Sequence, residues 1–389
     1  MINKKTGLII AGVVFILSAV TSFAYFSFPD GAGRILSPLS GFQQSKTNGD
    51  GATVNPDEPK TEICPLNGEY LTKTQKSKWE KRRPLGIIIE NHKDARPQSG
   101  LSSADIIYEA VAEGGITRFL SIYYCKDASY AGPVRSARIY FIKLLQGYGN
   151  FPLYAHVGGA NTPGPADALG EIRDLEWGSY NDLNQFSVPF PYFWRDYERL
   201  PERVTEHTVY TSISKLWQFA DSKRKLTNVD EDGKAWNEDF TPWKFTDDAK
   251  KDQRGSINKI SFTFWSSFSS DYSVVWSYDV ETNSYKRTNG GESHIDKNTG
   301  KQLSAKNIIV VFAKESSAND GYEGGHILYK LVGSGDGLIF HNGDVVKISW
   351  QKSDEESSMK FFNQSGKEVE LVRGLDWVEI LPVGNKVDY

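Results

Sequence analysis

The strongest hydrophobic signal lies in the first 28 residues. Lys4 and Lys5 precede an apolar run from Leu8 to Val20, which continues with small polar interruptions to the end of residues 1–28. This length is sufficient for a transmembrane helix, and the flanking lysines favour a cytoplasmic N-terminus. A cleaved signal peptide is the competing interpretation, because Ser22-Phe23-Ala24 fits a small-x-small cleavage site. Both interpretations predict export of the remaining chain; the retained anchor is favoured because the apolar run extends past that site.

The pattern of polar and apolar positions divides the rest of the chain into four segments. Residues 29–61 are rich in Gly, Ser, Pro, Asn and Asp, which predicts a flexible stalk. Apolar periodicity then predicts an N-terminal domain over residues 62–225. A polar, charged stretch over residues 226–255 is interpreted as a linker, and short β-type runs predict a C-terminal domain over residues 256–389.

The N-terminal domain combines strand-type and helix-type patterns. Leu85–Glu90 is a short apolar run typical of a buried strand, and it ends at Asn91 and His92. Ile106–Glu113 and Ile116–Tyr124 flank Gly114-Gly115, which predicts a β-hairpin. The other predicted elements are a helix with apolar positions from Ala137 to Leu145 and Ser136 as its cap, a strand at Leu153–Val157, a helix begun by Pro165, and a helix over Ser212–Lys223.

The hairpin register is expected to bring charged side chains together. If the two glycines form the turn, Val111 lies opposite Arg118. Alternation then places Glu109, Glu113 and Arg118 on one face. The sequence therefore predicts a cation between two carboxylates on a partly apolar face.

The C-terminal domain shows short β-type runs separated by Gly, Asn and Asp turns, which favour an antiparallel sandwich or open barrel. These runs are Ile257–Phe264, Tyr272–Tyr278, Ile308–Phe312, His326–Val332, Val345–Trp350 and Trp377–Leu381. The predicted fold is an α/β or α+β N-terminal domain with a mainly antiparallel β C-terminal domain, preceded by a transmembrane helix and a flexible stalk.

Composition narrows the function classes. The 389 residues are 39% hydrophobic and 24% charged, which excludes wholesale disorder. Lys and Arg number 45 against 49 Asp and Glu, and this lack of basic excess argues against nucleic acid as a partner. Cys64 and Cys125 are the only cysteines. In an exported chain they can form one disulfide, and the alternative is two unpaired thiols.

The most informative candidate chemistry is an arginine pair. Arg135 and Arg138 lie at a predicted helix start, where free N–H groups and two guanidiniums could bind an anion. Arg96 and Arg118 could join them. The alternative is that the arginines form structural ion pairs with Glu109 and Glu113.

Acidic residues in the same region could hold a hard cation. Asp105, Glu109 and Glu113 are candidate ligands for a divalent cation such as Mg²⁺, with Asp105 and Glu113 the first choices. Apart from such an ion, no cofactor is expected. The six histidines show no metal-ligand spacing, so the sequence predicts no zinc site.

A second strand-to-helix turn contains Gly158-Gly159. This loop could approach a phosphate, but the Lys-Ser/Thr of a nucleotide P-loop does not follow, and glycines that merely permit the turn are the favoured interpretation. His156, in the preceding strand, could face a cleft or be a hydrogen-bonded core histidine. Motifs of serine nucleophiles are absent, so no catalytic residue is assigned.

Several of these segments resemble one known family. They are Ile88–His92, Ala95–Leu101, Ala104-Asp105, Tyr108-Glu109, Glu113–Phe119, Gly132–Arg138, Tyr285–Arg287 with Asn289-Gly290, Asp296, Ala305–Val310, and Gly374–Pro382 around Trp377. In this order, over roughly residues 79–382, they resemble the YerB-like family of bacterial envelope lipoproteins, which has two domains of unknown function and no established activity. Family members commonly carry a lipobox cysteine, whereas this chain has a plain apolar anchor. The resemblance implies a two-domain protein tethered to the membrane.

A likeness at the level of the fold links the N-terminal domain to the LytR-CpsA-Psr phosphotransferases, which attach polymers to cell walls. The order Arg118–Tyr124, Gly132–Arg138 and Tyr154–Ala168 looks similar to their core. Their Arg-Asp-Thr motif is matched only by Arg135-Ser136-Ala137, so the Asp is missing. This analogy concerns the fold, and a fold alone does not define a function.

Two functional hypotheses follow. In the first, Arg96, Arg118, Arg135 and Arg138, with Asn91, His92 and the Gly158-Gly159 loop nearby, bind a phosphorylated envelope substrate such as a phospholipid-linked one. In the second, the protein is a noncatalytic module that recognises a wall polymer or an envelope protein through the aromatic-rich C-terminal domain and the Trp194–Tyr197 region.

Overall fold

The strands Leu85–Glu90 and Ile106–Glu113, both of them apolar runs, lie near the centre of a large mixed sheet. The computed structural model describes residues 57–267 and 269–389. The predicted anchor over residues 1–28 and most of the predicted stalk therefore lie outside the described residues. Among the residues described, none forms a helix long and apolar enough to cross a membrane. The described residues belong to a single compact unit.

The helices are short. They are α1 (Lys73–Trp79), α2 (Ile139–Leu145), α3 (Ala168–Asp174), α4 (Ile213–Arg224) and α5 (Ser269–Tyr272).

The strands dominate the structure. The first twelve are β1 (Lys60–Ile63), β2 (Tyr70–Thr72), β3 (Leu85–Glu90), β4 (Ile106–Glu113), β5 (Ile116–Tyr123), β6 (Leu153–His156), β7 (Asp182–Asn184), β8 (Phe193–Arg195), β9 (Val209–Thr211), β10 (Lys244–Thr246), β11 (Lys259–Phe262) and β12 (Val274–Asp279). The next twelve are β13 (Ser284–Asn289), β14 (Glu292–Ser293), β15 (Ile295–Asp296), β16 (Lys301–Gln302), β17 (Ser304–Ala305), β18 (Asn307–Ser317), β19 (Ile327–Lys330), β20 (Gly333–His341), β21 (Asp344–Lys352), β22 (Lys360–Asn363), β23 (Glu370–Val372) and β24 (Asp376–Pro382).

The large sheet has the strand order β22-β21-β20-β18-β24-β4-β5-β3-β6-β7, with β19 paired to β18. Strand β24 lies between β18 and β4 and is parallel to both. The C-terminal strands are mainly antiparallel, as predicted, and the pairing of β24 with β18 is a parallel exception. Six strands, β7, β6, β3, β4, β24 and β18, run in the same direction and end at one edge of the sheet.

The hairpin formed by β4 and β5 is confirmed, but its predicted register is wrong. Arg118 lies opposite Ala110, because an irregularity between Val111 and Glu113 shifts the pairing. The Glu109 side chain therefore lies on the same face of the sheet as Thr117 and Phe119, and the Arg118 side chain lies on the opposite face. An extra residue in a strand changes the side-chain alternation beyond it, which a simple alternation pattern does not show.

The two faces of the large sheet are covered differently. Helix α2 packs on the face of Arg118, where the side chain of Leu145 lies above Gly86 and Leu120. The opposite face is covered by a smaller antiparallel sheet of β11, β12, β13, β14 and β17, whose Trp276 and Arg287 reach β24 and β4. The protein is thus a mostly β structure of three layers with a mixed sheet in the middle.

The starts of two predicted helices differ from the structure. Helix α2 begins at Ile139 after Arg138, and Ser136 does not cap it. Helix α3 begins at Ala168, where Asp167 accepts a hydrogen bond from the backbone N–H of Gly170, rather than at Pro165. Helix α4 is confirmed within one residue of each predicted end.

Residues 226–255 form part of the packed structure. Trp236 and Trp243 are buried, and β10 pairs in parallel with β23. Cys64 and Cys125 are joined by a disulfide bond, which ties the segment before β2 to the end of β5.

Candidate functional site at the sheet edge

The carboxyl edge of the large sheet contains a fork between two strands. Strands β3 and β6 pair from Leu85 to Ile87, and beyond this point the segment Val134–Ala137 separates them. The Arg135 N–H donates to the Ile88 carbonyl of β3, and its carbonyl accepts from the Val157 N–H that follows β6. The fork lies at the carboxyl edge of the parallel strands, which is the edge where α/β sheets commonly bind ligands.

Three arginines and two glutamates meet at this fork, and we call them the arginine cluster: Arg118, Arg135, Arg138, Glu90 and Glu113. Arg135 Nε donates to Glu90 Oε1 over 3.0 Å. Arg118 Nη2 donates to Glu113 Oε1 over 2.5 Å, and Arg138 donates to the other oxygen of Glu113. The sequence offered structural ion pairs with Glu109 and Glu113 as the alternative to an anion site. Glu113 forms such ion pairs with Arg118 and Arg138, whereas Glu109 lies outside this cluster.

The arginine cluster carries more positive than negative charge. Burial lowers the pKa of Arg118 to about 10, so this side chain stays protonated at neutral pH. Arg138 Nε is buried without a hydrogen-bond partner in the described chain. The Arg135 side chain is 26% exposed, and only its Nε is used in the ion pair with Glu90. The cluster therefore has guanidinium N–H groups left for an anion at the protein surface.

The Gly158-Gly159 loop closes one side of the fork. Gly158 has φ +58°, and a Cβ on Gly159 would lie 3.1 Å from the Cβ of Ala137. The glycines thus allow a turn and a close approach. His156 is completely buried, with Nδ1 2.6 Å from the Gly158 carbonyl and Nε2 2.6 Å from Asp182 Oδ1. Both ring nitrogens are occupied, so His156 holds the loop in place.

Two histidines stand beside the arginine cluster. His92 follows β3, and its ring stacks on that of His207 with centroids 4.9 Å apart. His207 Nδ1 lies 2.8 Å from Glu90 Oε2, so Glu90 contacts both His207 and Arg135. Asp94 lies next to His92, with Oδ2 3.7 Å from His92 Nδ1. Burial, followed by the neighbouring His207, lowers the pKa of His92.

The opposite face of the sheet holds a second, fully buried polar network. Glu109 Oε2 accepts a hydrogen bond from Arg287 Nη2 over 2.6 Å, and Glu109 Oε1 accepts from Thr117 over 2.7 Å. Arg287 Nη1 is 2.6 Å from His294 Nδ1. Glu379 lies beside this pair, and burial, followed by the neighbouring Glu109, raises its pKa well above the usual range. These groups are almost completely buried and form a structural connection between β4 and β13.

Asn91 and Arg96 belong to this buried network and not to the arginine cluster. The Asn91 side chain donates to Glu109 and Thr117 and accepts from Arg96 Nε over 3.0 Å. Arg96 also donates to the Asp271 carbonyl, and burial lowers its pKa to about 10. Of the four arginines grouped by the sequence, three come together and Arg96 does not.

Asp105 lies at the amino end of β4, while Glu113 lies at its carboxyl end. A strand of this length separates them by roughly 25 Å, so they cannot share one cation. Asp105 accepts hydrogen bonds from Asn67 Nδ2 and from the backbone N–H groups of Tyr124 and Cys125. Complete burial raises the pKa of Asp105 to about 6.

Sequence reasoning missed Glu90, His207, Arg287 and Glu379. Glu90 carries a weak signal, since it is a charged residue at the end of an apolar run. His207 and Arg287 are far along the chain from their partners, and no local pattern marks them.

The motif order and the three-layer fold define the class of this protein. Residues 71–227 match the family described as "Protein of unknown function (DUF3048) N-terminal domain", and residues 264–378 match its C-terminal domain. The chain belongs to this family.

Among its relatives is "Putative lipoprotein YerB" of Bacillus subtilis (strain 168). The two are 32% identical over 329 residues, which are 84% of this chain and 88% of the relative. The crystal structure of YerB protein from Bacillus subtilis is similar with a TM-score of 0.67 at 28% identity, and the match covers 85% of this chain and 100% of that one. The resemblance noted in the sequence is thereby confirmed.

Proposed function

We propose that the protein is a membrane-anchored, extracytoplasmic envelope protein that binds an anionic, phosphorylated substrate at the arginine cluster. The observation that carries this proposal is the meeting of three guanidiniums with two carboxylates at the carboxyl edge of the sheet, where Arg135 is 26% exposed. The name of the Bacillus relative and the apolar N-terminal segment support the location.

The chemistry of the cluster favours phosphate over a neutral ligand. Guanidinium groups bind phosphate oxygens through paired, charge-assisted hydrogen bonds. Arg118 and Arg138 share Glu113, so their combined charge is only partly neutralised. A divalent cation such as Mg²⁺ would be brought by the substrate phosphates. A phosphotransferase-like reaction at this site would depend on positioning and charge stabilisation.

We expect isoprenyl pyrophosphate with Mg²⁺ to raise the melting temperature of the full-length chain in detergent. A ligand at a hundred times its Kd stabilises the native state by about 2.7 kcal/mol. Arg135→Ala should weaken binding roughly 10- to 100-fold, the effect of losing one charge-assisted contact. Arg173→Ala is the matched control, because Arg173 is 74% exposed on α3 and its ion pair in the described chain is with its neighbour Asp174. Equal shifts in wild type and Arg135→Ala, or no shift in wild type, would refute the proposal.

Inorganic pyrophosphate in a parallel titration separates recognition of the charged group from recognition of the isoprenyl chain.

A second candidate function is recognition of a wall polymer without catalysis. Three of the four Trp residues of the C-terminal half, Trp276, Trp350 and Trp377, are buried, and so is Trp194, so these are core residues. The most exposed aromatic rings of the described chain are those of Phe186, Phe190 and Tyr197, with 77%, 59% and 54% exposure. Phe186 borders the Gly158-Gly159 loop. Exposed aromatic rings beside a crevice are typical of interaction sites.

Co-sedimentation with purified cell-wall sacculi tests this second candidate. We expect the double variant Phe186→Ala/Phe190→Ala to lose most of the sedimented fraction, because both rings are exposed and contribute little to the core. Tyr70→Ala serves as the control, since its 39% exposed ring lies on β2 near the disulfide. Sedimentation of the double variant at the wild-type level would count against this function.

A further inference from the structure

His92, Asp94 and His207 form a group of potential metal ligands beside the arginine cluster. One donor atom from each residue can be chosen so that all three atoms lie within 4.8 Å of one another. The two imidazole planes are inclined by only 13°, so the rings are stacked nearly parallel. The side chains of His92 and Asp94 are 27% and 48% exposed, which leaves this group open to solvent.

The distances are close to those of a bound ion. Two ligand atoms on a tetrahedral zinc ion, each 2.0–2.2 Å from the metal, lie roughly 3.4 Å apart. The separation of His92 Nδ1 and Asp94 Oδ2 is 3.7 Å. His92 Nδ1 accepts a hydrogen bond from the Asp94 backbone N–H over 3.2 Å, and a metal ion bound at Nδ1 would replace this bond. Ligand atoms that lie within 4.8 Å of one another must approach by up to about 1.4 Å to reach this separation.

His207 is held in the orientation that a metal ligand needs. Its Nδ1 faces the buried Glu90 carboxylate at 2.8 Å, so Nε2 is the nitrogen left for a metal ion. Metal-binding histidines commonly donate their other N–H to a carboxylate, which fixes the ring and strengthens its donor nitrogen. Glu90 is itself fixed by Arg135.

We propose that His92, Asp94 and His207 bind one divalent transition-metal ion of the zinc type, with Glu90 orienting His207. Two imidazoles and one carboxylate suit Zn²⁺ and its first-row neighbours better than Mg²⁺ or Ca²⁺. The exposed side leaves a coordination position for water or an anion. The spacing of the histidines in the sequence predicts no such site, because His207 reaches His92 only through the fold.

The other potential ligand group in the described chain does not compete with this one. It consists of Cys64, Asp105 and Cys125, and both sulfur atoms belong to the disulfide.

Cobalt(II) is the probe for this site. Full-length protein without a histidine tag is stripped with EDTA, dialysed and titrated with Co²⁺, and the visible d–d absorption is recorded. We expect one Co²⁺ per chain, displaced by Zn²⁺. Asp94→Asn should weaken binding at least 10-fold and His207→Ala should abolish it. Glu90→Gln should weaken it 10- to 100-fold, as is typical for a partner of a ligand.

The matched control is His326→Ala. His326 and Asp320 form another histidine–carboxylate pair at 2.7 Å, and no third ligand joins it among the described ligand groups. Because His207 is buried and its replacement can disturb folding, the half-exposed Asp94 variant keeps the test decisive, and circular dichroism verifies each fold. The proposal is overturned if wild type binds no Co²⁺ at millimolar concentration, or if Asp94→Asn and His207→Ala bind it as wild type does. The titration contains no phosphorylated compound, so its failure leaves the proposed anion site to its own test.

Discussion

Replacement of Arg287 by alanine is expected to lower the free energy of unfolding by about 3–5 kcal/mol. Arg287 donates to Glu109 over 2.6 Å, and neither side chain has more than 1% exposure. Removal of the guanidinium leaves the Glu109 carboxylate buried beside Glu379 without a counter-charge. The cost of such an unpaired buried charge exceeds the net benefit of most ion pairs, which explains the size of the effect. Urea unfolding followed by tryptophan fluorescence measures it.

Lys286→Ala is the matched control for Arg287. Lys286 is the preceding residue on β13, and it pairs with Asp279 at 2.7 Å with 47% exposure. Exposed pairs contribute about 0–1 kcal/mol, so this variant should unfold almost as wild type does. The double variant Arg287→Met/Glu109→Gln should recover part of the loss, because it removes both charges. If Arg287→Ala and Lys286→Ala were equally stable, the buried network could not be the connection described above.

The stability contributed by Asp105 is expected to fall as the pH rises from about 4 to about 6. Burial raises the pKa of Asp105 to about 6 in the folded chain, whereas an unfolded chain has an ordinary value near 3.9. The folded state therefore binds this proton more tightly. Its contribution is complete below the unfolded pKa and is lost as the pH passes the folded one. A difference of about two pKa units corresponds to about 3 kcal/mol.

Asp105→Asn isolates this effect. The amide keeps an oxygen for the backbone N–H groups of Tyr124 and Cys125 but cannot titrate. The free energy of unfolding of the variant, measured with urea and taken relative to wild type, should increase by about 3 kcal/mol between pH 4 and pH 7. Burial also raises the pKa values of Asp376 and Glu379. Both residues are present in wild type and variant, so their titration cancels in the comparison. A stability difference independent of pH would show that Asp105 titrates normally.

Local patterns in the sequence predicted local structure well. The strands Leu85–Glu90 and Ile106–Glu113 have the predicted bounds because a buried strand is a continuous apolar run. Helix α4 was found from its periodicity. The register beyond Val111 was not predictable, because the irregularity in β4 arises from pairing with β5 and leaves no mark in the alternation.

The candidate site was predicted only in part, because local patterns group residues that are close in the sequence. Arg135 and Arg138 are close in sequence and lie in one short extended segment before α2, so their grouping followed from the chain itself. Arg96 was misplaced because its side chain turns to Asn91 and the Asp271 carbonyl on the other face of the sheet. Glu109 was assigned to Arg118, but its partner Arg287 comes from a strand 178 residues later. Contacts at that separation depend on the order of strands, which hydrophobic patterns do not specify.

The position of β24 has a consequence for how the protein can be made and dissected. Its backbone pairs with β18 on one side and with β4 on the other, so the centre of the sheet cannot close before residues 376–382 have been synthesised. Assembly must await these late residues, and such long-range pairing is intrinsically slow. The two family regions, 71–227 and 264–378, are therefore interlocked parts of one folding unit. A fragment that ends before β18 would leave β4 with an open hydrogen-bonding edge, which favours aggregation. If such a fragment failed to bind a ligand, aggregation would explain the failure, and the result would not locate the binding site.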